Sequence, residues 1–145
     1  MGCRDVVTDV DAKVISGQPL PDSVRHEIVP GLAAHPTSAV WLAWDGDVAV
    51  GVLVAIGGYS TFHAKPVLNV HDVAITPEYQ GRGIGSRLFK AAEEYAIENG
   101  CAKLTLEVRR DNPRARKLYK RLGYASDHEE TATLSWEKKL ASSGT

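Results

Sequence analysis

Apolar and polar positions alternate with two different periods along this chain, and the switches between periods mark its elements. After Pro21-Asp22-Ser23, which offers helix-start chemistry, Val24, Ile28 and Leu32 recur at helical spacing, with Pro30 expected to kink or shorten that helix. Two apolar runs, 39–44 and 48–56, flank Asp45-Gly46-Asp47 and predict a β-hairpin. Residues 67–76 read as a strand ended by Pro77. Helical periodicity returns at Gly83 and runs through Ile84, Leu88, Ala91, Ala92, Tyr95 and Ala96 to a stop at Asn99-Gly100. From Lys103 to Arg110 the period is again two: Leu104, Leu106 and Val108 face one way, and Thr105, Glu107 and Arg109 the other. Asn112-Pro113 opens a further helix carrying Ala115, Leu118, Tyr119 and Leu122 on one stripe, with Gly123 as its stop. Short strands are expected at 4–10 and 131–136, and 141–145 reads as a polar tail. Hairpins early and a strand–helix–strand–helix unit late predict an α+β fold in a single domain spanning 1–145.

Composition narrows the function only by exclusion. Hydrophobic content of 43% and charged content of 24% are ordinary for a water-soluble domain. A formal net charge of -1 does not suit a nucleic-acid binder. No apolar run approaches the ~20 residues of a membrane span, and no secretion signal opens the chain, so a cytoplasmic protein is expected. Met1-Gly2-Cys3 hints at myristoylation, but Val6 stands where that motif requires Ser or Thr. Cys3 and Cys101 have no metal or redox spacing, and Cys101, at the start of an apolar strand, reads as core. The histidines show no metal-ligand spacing either.

The chemistry concentrates between the strand at 67–76 and the next helix. Gln80-Gly81-Arg82-Gly83-Ile84-Gly85 places three glycines where positive φ and close ligand approach are allowed. A helix N-terminus adds unpaired N–H groups and partial positive charge, which favour phosphate, and Arg82 and Arg87 offer charge-assisted contacts. The turn alone equally fits a Gly-rich connection that binds nothing. Glycines at every second position are not the G-x-G-x-x-G of a nicotinamide site, and no Gly-Lys-Ser/Thr of a P-loop follows.

With Val73-Ala74-Ile75-x-Pro77 before it, this turn resembles the acetyl-CoA motif of the GNAT superfamily of N-acetyltransferases. Asn112-x-x-Ala115-x-x-Leu118-Tyr119-x-x-Leu122-Gly123-Tyr124 resembles that family's second motif, in the right order, and the resemblance covers roughly 39–125. It implies a mixed, mostly antiparallel sheet flanked by helices on both faces and splayed between the strands at 67–76 and 103–110. Acetyl-CoA would lie in that V, as co-substrate. Val73 and Ile75 would bond its pantetheine arm through their backbones. Gln80, Gly81, Arg82, Gly83, Ile84, Gly85 and Ser86 would form the pyrophosphate turn, with Asn112 as a further contact or simply a helix N-cap. A main-chain N–H near a bulge in the first strand of the V would stabilise the oxyanion.

Tyr119 stands at the family's general-acid position, where a phenol protonates the departing thiolate; otherwise it is a core aromatic. For the base, Glu107 lies five residues before Asn112, a spacing similar to that of the ribosomal-protein alanine acetyltransferases. Its alternative is a solvated strand residue salt-bridged to Arg109. His71 is the rival, matching a Glu that serves polyamine acetyltransferases, although plain alternation puts it beside Val73 and Ile75 on a packed face. The acceptor is a primary amine of unspecified kind, and Asp127-His128-Glu129-Glu130 would suit a cationic one. Dimers are common in the resembled family, so a homodimer is carried as an option. A CoA-binding module without catalysis and a nicotinamide oxidoreductase are the rival classes.

Overall fold

The computed structural model describes residues 22–125 and 138–140. The elements run α1 (Asp22–Ala34), β1 (Ser38–Asp45), β2 (Val48–Ser60), β3 (Lys65–Ile75), a 3-10 turn (Pro77–Tyr79), α2 (Ile84–Glu98), β4 (Leu104–Leu106) and α3 (Pro113–Arg121). The expected strands at 4–10 and 131–136 and the acidic stretch 127–130 lie outside the described residues. Helix α1 continues four residues beyond Pro30, so that proline does not end it.

The sheet order is β1-β2-β3-β4; the first two pairings are antiparallel and the last is parallel. The β1–β2 hairpin turns at Gly46, whose φ of 59° supplies the left-handed first position of a two-residue loop. Strand alternation then sends two apolar sets to opposite faces. Ala39, Trp41, Leu53, Ala55, Leu68 and Val70 meet Leu88, Phe89, Ala92 and Ala96 of α2. Val40, Val52 and Val54 form the other set, with Leu42, Ala74 and Leu32 of α1 packed against them. The period-2 and period-3.6 patterns therefore converge on one sheet covered on both sides, as the resemblance implied. Cys101 packs at the edge of the larger core, three residues before β4 begins. Among the described residues no helix is long and apolar enough to cross a membrane.

Phe89 is completely buried and touches the rings of both Tyr119 and Tyr124 edge-on, at 5.5 and 5.6 Å between centroids. It ties α2 to the segment carrying the second motif. Phe89→Ala is expected to cost about 3–5 kcal/mol of stability, read as a lower denaturant midpoint with an unchanged m-value.

Two departures from plain alternation shape the site. β4 is three residues long, not the eight expected from 103 to 110: after Leu106 it has no partner strand among the described residues, and Val108 is 39% exposed instead of facing the core. The segment turns away, held by a two-pronged Arg109–Asp111 ion pair with both N···O distances 2.9 Å. The second departure is in β3. Val54 pairs with Asp72 and Ala55 with Val70, so His71 is an extra, unpaired residue. This bulge resets the phase. Leu68 and Val70 before it, and Val73 and Ile75 after it, all reach the α2 side, whereas His71 is exposed. The expectation that His71 shares a packed face with Val73 and Ile75 fails for that reason.

Candidate active site

Beyond β3, Gly81 and Gly83 take φ values of 80° and 79°, conformations costly for any residue with a Cβ. A Cβ built at either would meet nothing within 4 Å, so both face open space. Gly85 differs. It is already helical, and a Cβ there would stand 3.4 Å from Leu118 of α3, an ordinary packing distance. Two of the three glycines thus serve the turn, and the third faces α3.

Arg87 is the first α2 residue whose N–H bonds back within the helix, to the Gly83 carbonyl at 3.2 Å. The preceding amides, through Ser86, are left by the helix itself for an outside acceptor. Gly51 of β2 lets this helix start sit close to the sheet, because a Cβ there would come within 2.8 Å of Ile75 and 3.2 Å of Ile84. The sequence gives no local sign of that duty.

Side chains brace the turn from both sides. Gln80 donates to the Ile75 carbonyl at 3.1 Å and accepts from Arg114 at 2.6 Å, so it ties the strand end to α3. Arg82 lies over the Tyr79 ring at 4.9 Å, a cation–π contact, and the Tyr79 hydroxyl donates to Asp45 at the hairpin tip. Asn112 caps α3, its side-chain oxygen accepting from the Ala115 N–H at 3.2 Å.

From this turn a cleft runs down between β3 and β4. The two strands pair only from Leu68–Leu104 to Val70–Leu106, and beyond that β3 continues for five residues with only β2 beside it among the described residues. Thr76 donates to Val50 of β2, so by strand alternation the backbone of Ile75, and of Val73 two residues earlier, points to the unpaired side. The Ile75 carbonyl there is taken by Gln80.

The cleft, about 160 Å³, is lined by Val70, His71, Asp72, Val73, Leu106, Glu107 and Tyr119. It brings together both residues expected to do chemistry and the rival base. Tyr119 is half-buried against Phe89 and Tyr124, and burial pushes its phenol above the usual tyrosine range. It therefore stays protonated, as a donor must. Burial likewise raises the Asp72 carboxyl, while neighbouring His71 pulls it partly back. Glu107 is exposed, and Arg109, its expected partner, is engaged by Asp111.

A sequence profile of the Acetyltransferase (GNAT) family matches residues 11–124. The chain belongs to the GNAT family. Among its relatives, it is 29% identical over 141 residues to the putative [ribosomal protein bS18]-alanine N-acetyltransferase of Bacillus subtilis, covering 91% of this chain and 87% of that one. It is 40% identical over 78 residues to thialysine N-epsilon-acetyltransferase of Bos taurus, covering 54% of this chain and only 45% of that relative. For several curated relatives the match thus spans about half of their length. The fold is shared with the aminoglycoside N-acetyltransferase AAC(6')-Iy in complex with CoA (TM-score 0.68, 21% identity, 82% of this chain and 78% of that one). In GNAT terms, the bulge in β3 and the opening after Val70–Leu106 are the splay that the resemblance implied.

Sequence reasoning missed two contributors: the Arg114–Gln80 brace and the Asn69–Thr105 bond. The bulge did leave a trace. Apolar residues at 68, 70, 73 and 75 skip one beat between 70 and 73, which alternation without a bulge cannot produce.

Proposed function

We propose that this protein transfers the acetyl group of acetyl-CoA to a primary amine by direct attack, without an acyl-enzyme. The observation that carries this reading is the alignment of two open features. The free amides at the start of α2 continue into the unpaired edge of β3, a track suited first to a pyrophosphate and then to an amide-bearing arm. A Gly-rich turn that binds nothing has no need of the second feature. Two relatives are named for transfer to nitrogen, on thialysine and on a ribosomal-protein alanine, which supports an amine acceptor.

In this reading Gly81, Gly83, Ile84, Gly85 and Ser86 hold the pyrophosphate through their amides, with Arg82 beside them and Gln80 and Asn112 fixing the turn and α3. Val73 and Ile75 present backbone groups to the pantetheine arm, the Ile75 carbonyl excepted. Acetyl-CoA supplies an activated thioester carbonyl. A main-chain N–H freed at the β3 bulge stabilises the negative charge that develops on its oxygen. Glu107 takes a proton from the ammonium form of the acceptor, which exposes the nitrogen lone pair. Tyr119 protonates the departing thiolate, and the second proton that the nitrogen sheds as the amide forms returns to the Tyr119 phenolate.

Calorimetric titration tests the cofactor: acetyl-CoA binds and NADH does not, and the reverse result would overturn the reading. The base is tested by pH profiles of kcat/KM. Glu107→Gln is expected to lower kcat/KM by roughly 10²-fold or more and to abolish its acidic limb. Loss of that limb in His71→Gln alone would instead transfer the role to His71.

A further inference from the structure

The nitrogen that His71 offers to the cleft is set from two residues away. Asn69 and Thr105 are register partners across β3 and β4, and the Asn69 amide nitrogen donates to the Thr105 hydroxyl at 2.8 Å. With the amide so placed, its carbonyl oxygen faces His71, whose Nδ1 lies 2.7 Å away. A carbonyl oxygen only accepts, so the hydrogen sits on Nδ1, and a neutral imidazole then carries its lone pair on Nε2. The bulge takes this ring out of the paired sheet and into the cleft wall beside Asp72, Glu107 and Tyr119, the ionisable groups that line the cleft with it.

We propose that Asn69 and Thr105 are positioning residues that hold His71 in its Nδ1–H tautomer, so that Nε2 accepts a hydrogen bond from the acceptor amine. The inference rests on the acetyl-transfer reading above and deepens it. An ammonium has more N–H groups than Glu107 uses. One proton goes to Glu107 and one leaves as the amide forms, passing to the Tyr119 phenolate; the N–H that stays on nitrogen is held by Nε2, which takes no proton itself. The freed lone pair then attacks the thioester from a fixed orientation. A protonated His71 has no lone pair to offer and adds positive charge beside a cationic substrate.

The direct test is long-range ¹H–¹⁵N spectroscopy of the unliganded protein, with the His71 signals assigned by their absence in His71→Gln. The wild type is expected in the Nδ1–H form. Asn69→Ala, and independently Thr105→Val, should shift the population toward Nε2–H. In amine kinetics Asn69→Ala should raise KM for the acceptor roughly 2–10-fold, the range of one hydrogen bond, with KM for acetyl-CoA unchanged. A wild-type His71 found in the Nε2–H form would overturn the proposal, since the Asn69 amide would then be reversed. So would an Asn69→Ala variant with unaltered tautomer and unaltered amine KM. Because the spectra need no substrate, failure of acetyl transfer would overturn the amine role alone and leave the tautomer assignment standing.

Discussion

Gly83→Asp is expected to weaken acetyl-CoA binding about 100-fold, or about 2.7 kcal/mol. Two costs combine at this position. The backbone is left-handed, with φ at 79°, so a residue with a Cβ adds strain, least for Asn and Asp. The aspartate also places negative charge at the helix start, where a pyrophosphate would otherwise meet free amides and the positive end of the α2 dipole. Gly83→Asn separates the two terms: asparagine tolerates the left-handed conformation and carries no charge. It should lose much less affinity than the aspartate variant, and equal losses would assign the effect to backbone strain. Titration calorimetry with acetyl-CoA measures both.

Tyr119→Phe should fold normally and lower kcat by roughly 10²-fold, toward the lower end of general-acid effects because a thiolate leaves readily. The ring keeps its edge contacts with Phe89 and Tyr124, so stability changes little, and only the proton donor goes. Burial raises the Tyr119 phenol, so in the wild type any alkaline loss of kcat from its ionisation lies above the ordinary phenol range near pH 10. Single-turnover kinetics must show that chemistry limits the rate. An unchanged kcat under that condition would reduce Tyr119 to a packing residue.

How much of this was legible in the residues depends on whether a feature is local. The Gly81-x-Gly83 turn, the Asn112 cap and the Asn99-Gly100 stop are local, and they stand where the sequence puts them. So do the two apolar faces of β1 and β2, because alternation needs only neighbours along the chain. The end of β4 is not local. Leu104, Leu106 and Val108 alternate as a strand would, yet pairing with β3 stops at Val70–Leu106, where the bulge at His71 interrupts β3. The duty of Gly51 is equally invisible, since it depends on Ile75 and Ile84 arriving from elsewhere. His71 is the instructive case. One extra residue in β3 moves it from a packed face to the cleft, and the skipped apolar beat at 70–73 is the mark by which the bulge could have been read.

The most direct test of the central claim is release of free CoA thiol from acetyl-CoA, followed against a mixed panel of small amines, polyamines, lysine-like compounds and N-terminal peptides. The account predicts thiol release that depends on a particular amine, appears in stoichiometry with the acetylated product, and is strongly reduced in Tyr119→Phe and Glu107→Gln. Acetyl-CoA that binds without amine-dependent thiol release from any member of the panel would contradict it, and would make the protein a CoA-binding module instead of a transferase.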